Sequence, residues 1–146
     1  MPIQLTDDLF EHLTPPETVD WTLVGVRYPK TNPESIVLEL RWSGPGSAYA
    51  KEQKRLAMKP IADEADDMER DLRTFAKTSI GGWRNVIDEG QPAKFDAKFA
   101  AELLVRTMRA RGPQGLVEAR LMINSACSPS AFRRPDPVDT ADLGKE

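Results

Sequence analysis

Few side chains in this sequence have the type and spacing to do chemistry: His12, Cys127 and the adjacent acids Asp66 and Asp67. Catalysis and metal binding both require such groups to converge on one point. Asp66 and Asp67 are neighbours in a helical pattern, so their side chains leave the helix on different faces and form no dyad. His12 is the only histidine, and one His with one Cys cannot complete a zinc set. A nucleophilic serine would have to rely on the same His12 as its base. Cys127 ends the apolar run LMINSAC and reads as a structural thiol. As the single cysteine it excludes an intrachain disulfide framework and fits a reducing compartment. Gly44-Pro45-Gly46 comes nearest to a phosphate-cradling loop, but Pro45 lacks the N–H donor and no Lys-Ser/Thr pair follows. The expectation is a non-enzymatic chain with no catalytic residue, no metal site and no cofactor.

The elements that position these residues must fit within 146 residues, the length of a single domain. A net charge of −3 argues against non-specific nucleic-acid binding, which needs a basic surface. Arg106, Arg109 and Arg111, with Arg133 and Arg134, read as solvated helix and tail charges. MPIQLTDDLFEHL carries acids and neither a basic nor an apolar leader region, so no secretory signal is expected. No apolar run reaches the roughly 18–20 residues of a membrane span. Cytosolic residence is the resulting expectation.

The pattern predicts an α+β fold: an antiparallel β-hairpin near the N-terminus packed on a mainly helical domain of three to four helices, with irregular termini. Residues 1–20 form an arm with a short LTDDLFEHL helix that stops at Thr14-Pro15-Pro16. The runs WTLVGVRYP (21–29) and ESIVLELRW (34–42) read as the two strands, with turn chemistry in KTNP between them. Ile36, Leu38 and Leu40 would share one face with Trp42. Ser47 is a candidate cap for helix from Ala48 to about Thr78, broken or restarted near Pro60. Ile61, Ala65, Met68, Leu72, Phe75 and Ser79 recur at steps of four and three, marking one buried helix face. Asp96 caps a further helix through about Ala110, with Phe95 expected to fold back over Ala100. GLVEARLMINSAC (115–127) makes the last helix, and 128–146 reads as a Pro-rich tail. The domain proper spans 21–127.

One stretch, TSIGGWRNVIDEGQPAKFD (78–96), matches none of the chemical templates. Gly81-Gly82 reads as a hinge beside Trp83, and Gly90 suits the positive-φ position of an Asp88-Glu89-Gly90 turn. The loop either packs Trp83 and Phe95 over the flanking helices or presents the Trp to a partner, since Trp is enriched among interface hot spots.

Gly46, Ser47 and Tyr49, followed by Trp83, Val86, Asp88, Gly90, Pro92, Phe95 and the Asp96 helix start, make an order of parts that resembles the tail assembly chaperones, or tail accessory proteins, of long-tailed bacteriophages. The resemblance covers about residues 21–110; Gly81-Gly82, Ala93-Lys94 and the Pro-rich tail depart from the family pattern. It implies a viral, non-enzymatic protein of tail morphogenesis that shields the tape-measure protein and helps tail-tube subunits assemble. Trp83, Val86, Ile87, Phe95 and Phe99 are then the expected partner-binding residues. Protein partners are implied, with self-association open and neither nucleic acid nor membrane involved. The competing expectation is a structural virion component, in tail or capsid, with arm-like termini.

Overall fold

A computed structural model describes residues 18–132. The expected arm helix, His12 and most of the Pro-rich tail lie outside the described residues. The chain folds as α+β, in the order β1 (Thr18–Thr22), β2 (Val37–Arg41), α1 (Ala48–Leu56), α2 (Glu64–Ser79), β3 (Ile80–Arg84), the two-residue strands β4 (Ile87–Asp88) and β5 (Gln91–Pro92), α3 (Ala97–Arg111), α4 (Pro113–Cys127) and a 3-10 turn at Pro129–Phe132. Among the described residues no helix is long and apolar enough to cross a membrane.

β1 and β2 pair antiparallel as expected, with Trp21 opposite Leu38, but the strands are shorter than the sequence pattern implied. Pairing starts at Thr18, inside the stretch read as arm, and stops at Thr22. The cause is Gly25, whose φ of 81° sits at the third position of a turn closed by Val26 N–H donating to Leu23 O at 2.9 Å. The chain therefore leaves the ladder and returns only at Ile36, whose N–H donates to Val26 O at 2.8 Å. Ile36, Leu38 and Leu40 are fully buried on one face, as the alternation predicted. Trp42 lies beyond the strand end, edge-on to Phe132 with ring centroids 5.7 Å apart. Phe132 is itself buried, so the first five residues of the segment read as tail close over the end of the sheet.

β3 corrects the hinge reading. Gly81-Gly82 is not a hinge but strand, and β2 is the centre of a three-stranded antiparallel sheet, order β1-β2-β3. The two glycines lie under side chains of β2. A Cβ on Gly82 would collide with the Glu39 carboxylate of β2, and one on Gly81 would sit 3.0 Å from Arg41 Nε. A register shift between Glu39 and Leu40 absorbs Gly81 as a bulge, which returns Trp83 to the core face opposite Leu38.

Helix starts follow the cap chemistry. Ser47 Oγ accepts from Ala50 N–H at 3.1 Å, Asp63 from Asp66 N–H at 2.9 Å, and Asp96 from Lys98 N–H at 2.9 Å. Pro60 falls in the linker between α1 and α2 rather than inside a helix. The stripe along α2 is buried at Met68, Leu72, Phe75 and Ser79, and it shares one core with Leu38 and Ile80 of the sheet, Leu104 and Met108 of α3 and Met122 of α4. α3 and α4 cross closely at Gly115, where any Cβ would overlap the Met108 carbonyl. Across the solvent side Arg109 bridges Asp66 at 2.8 Å and Glu69 at 2.7 Å, and Arg73 bridges Glu69 at 3.0 Å and Glu102 at 2.7 Å. The arginines of α3 are thus engaged by acids of the same chain, in exposed pairs worth little individually.

One polar group sits awkwardly between α1 and α2. Gln53 Nε2 donates to Tyr49 Oη at 2.8 Å and to Asp71 Oδ1. Burial raises the Asp71 carboxyl above the usual range, with the Gln53 hydrogen bond opposing it. Burial, and then the Asp71 charge, also push the Tyr49 phenol above its usual range. A carboxyl whose folded pKa is raised favours the fold at low pH, and that contribution is lost as pH rises through the folded value. Asp71→Asn keeps the acceptor for Gln53 and removes the buried charge. Thermal melts should show the variant more stable than the parent at pH 7, with the gap closing as pH falls through the raised folded value and gone below the ordinary carboxylate range.

Candidate functional site

The stretch from Arg84 to Asp96 leaves the end of β3, doubles back and enters α3. Asn85, at φ 68°, turns the chain out of the strand, and its side-chain amide donates to Ser35 O at 2.9 Å. Asn32 answers from the other loop, donating to Asn85 O at 2.9 Å. Ile87 N–H donates to Tyr28 O at 3.1 Å, which ties the loop beneath residues 28–35. β4 and β5 then form a miniature hairpin around Glu89 and Gly90, with φ of 51° and 77°. Positive φ at both central residues is the type I′ geometry that suits a two-residue hairpin. Glycine at the second position carries this without side-chain strain.

Trp83 is held from three sides. Its indole Nε1 donates to Ala93 O at 2.9 Å, Phe95 meets it edge-on at 5.0 Å, and Phe99 edge-on at 5.7 Å. Phe99 in turn meets Tyr28 edge-on at 5.2 Å. The four rings make one row, Phe95–Trp83–Phe99–Tyr28, that begins half-buried and ends at the surface. Phe99 and Tyr28 are each 37 % exposed. Edge-to-face pairs of this kind contribute about 0.5–1.5 kcal/mol beyond burial alone, so the row is fixed rather than loose.

The structure brings four of the five expected partner-binding residues to this region's surface or near it. Trp83, Ile87 and Phe95 are half-buried, and Phe99 is exposed. Val86 is 3 % exposed and belongs to the core, which leaves it no surface for a partner. Phe95 packs on Trp83, the ring contact that fixes its place at the entry to α3. Tyr28 was missed by sequence reasoning. It lies in a Pro-containing loop far away in the chain, and only its bridge to Val86 places it at the end of the row.

Elsewhere the arrangement offers little for bond making. Cys127 is half-buried, its thiol donates to Ser43 O at 3.3 Å, and burial pushes its pKa up, away from the reactive thiolate. Asp66 pairs with Arg109, and Asp67 with Arg70 at 3.4 Å, so the adjacent acids diverge. Among the described residues no three His, Cys, Asp or Glu side chains are grouped to hold a metal ion.

Family models, curated proteins and solved structures contain no match to this chain. The functional reading therefore rests on the aromatic row and on the residues that build it. Four residues of the Trp-to-Asp unit have a clear task in folding it: Val86 plugs the core, Gly90 makes the turn, Trp83 ties back to Ala93, and Asp96 starts α3. Among the described residues Phe99 and Tyr28 are the aromatic rings that stand exposed, at the end of the row.

Proposed function

We propose that this chain is a non-enzymatic phage tail assembly chaperone, binding the tape-measure protein, the tail-tube protein or both in the cytoplasm of the bacterial host. The observation that carries the reading is the rigid row Phe95–Trp83–Phe99–Tyr28 with its exposed end at Phe99 and Tyr28. An apolar helix face of a client can lay against such rings as an amphipathic helix lies in a groove. The exposed area is small, so each contact is weak and reversible, and coverage of a long client comes from many copies. Tail-tube subunits can then displace the chaperone copy by copy. The resemblance of the Trp83-to-Asp96 unit to that family supports the same reading.

Phe99→Asp tests it. Residue 99 is the third of α3, where a carboxylate is favoured by the helix N-terminus, which offsets part of the two edge-to-face pairs lost, so the variant should stay folded and lose about 1–3 kcal/mol. Capture of co-expressed tape-measure or tube protein should fall at least about tenfold, a loss typical of a hot-spot ring. Undiminished capture would remove the row from the interface. Recovery of the chain in purified virions would make it a structural component instead.

A further inference from the structure

Protein interiors hold few voids larger than a water molecule, yet a larger one lies where β1 ends against the last two helices. Trp21 and Leu23 line it with Leu104 and Met108 of α3 and Met122 of α4, around a cavity of about 190 Å³. An apolar cavity of about 150 Å³ already admits benzene, so this one takes a single ring with one substituent. Small-molecule sites of this kind are apolar walls with a few placed polar groups, and those groups set what can bind. The charged residues on the wall are Arg111 and Glu118, and they are engaged with each other at 2.5 Å. Arg111 also donates to Val24 O at 2.7 Å. No free charge is left for an ionised ligand.

One neutral polar group on the wall is different. A threonine inside a helix ordinarily turns its hydroxyl onto the carbonyl one turn back. Thr74 and Thr78 of α2 do so, donating to Arg70 O at 3.0 Å and to Thr74 O at 2.8 Å. Thr107 of α3 is half-buried on the cavity wall, and among the described residues its hydroxyl takes no such partner. We propose that the cavity is a binding site for a small uncharged phenol, its ring among Trp21, Met108 and Met122 and its hydroxyl bonded to Thr107. An indole edge and two thioethers are favourable neighbours for an aromatic ring. The ligand is a free molecule rather than the side chain of another protein. Val24, Arg111 and Glu118 are the wall residues that stand toward solvent, and their hydrogen bonds cross the mouth, where a peptide backbone would have to part them. The site shares no residue with the aromatic row, so it is independent of client binding.

The test titrates phenol and toluene, which differ by a hydroxyl in place of a methyl, into the isotopically labelled full-length chain and follows its amide resonances. Phenol should shift residues 21–26, 104–111 and 115–122 saturably. Thr107→Val, which makes the same exchange on the protein side, should weaken phenol about fivefold, the worth of one neutral hydrogen bond, and should not weaken toluene. Ala119→Leu adds bulk to the wall and should abolish both titrations; Val26→Phe takes its place if circular dichroism shows that variant unfolded. Absence of saturable shifts in the full-length chain overturns the proposal. So do shifts that survive filling of the cavity, or an equal response of the two ligands to Thr107→Val. N-acetyltyrosinamide binding as tightly as phenol overturns it too, because the site then takes a protein side chain.

Discussion

Phe75→Ala is expected to lower the unfolding free energy by about 4 kcal/mol, the range for a large aromatic removed from a packed core. Phe75 is 0 % exposed and meets the Tyr49 ring edge-on at 5.5 Å. It stands at the middle of the α2 stripe, where sheet, α1, α3 and α4 share one cluster. Domains of this size have roughly 5–15 kcal/mol of stability in total, so the variant should be only marginally folded at 37 °C. Urea titration followed by tryptophan fluorescence reads the loss. A change under about 1 kcal/mol would mean that the α2 stripe does not anchor the core.

Trp83→Ala should cost about 3 kcal/mol, less than a fully buried ring because the indole is half-buried. The effect should be local in origin. Ala93 O loses its donor, Phe95 and Phe99 lose the face they lean on, and the 84–95 loop loses its tie to β3. Amide exchange should speed up across residues 84–95 before it does in α2. Trp83→Phe keeps most of the ring and loses only the donor, so it should recover all but about 1 kcal/mol. Equal losses for both variants would show that the hydrogen bond, not the ring, carries the contribution. Because Trp83 holds the row together, its alanine variant would weaken client capture even if the indole never touched a client. Phe99, with its exposed ring, separates the two roles.

Long-period patterns in the sequence translated directly into structure. The steps of four and three from Met68 to Ser79, the alternation through Ile36, Leu38 and Leu40, and the capping residues Ser47 and Asp96 are local signals, and each sits where those signals place it, while Ile61 falls in the linker before α2 and Ala65 is only half-buried. β3 was not legible, because IGGWR has neither alternation nor strand propensity at its centre. Its glycines answer to the Glu39 and Arg41 side chains of β2, contacts that cross some forty residues of chain. The shortened β1 was hidden for the opposite reason: LVGVRY reads as strand, but Gly25 at positive φ ends the ladder there. The aromatic row was half visible. Trp83, Phe95 and Phe99 share a stretch of sequence, whereas Tyr28 reaches them through its bridge to Val86, with the Asn32 and Asn85 amides joining the same two loops.

That row accounts for function only if a client polypeptide rests on it. Hydrogen exchange of the chain, free and bound to a purified tape-measure segment, addresses this directly. Protection on binding should concentrate in residues 28–32 and 84–99, which hold the exposed Tyr28 and Phe99 end of the row, with little change along α4. Protection centred on the exposed Val117 and Leu121 of α4, with residues 84–99 unchanged, would contradict it.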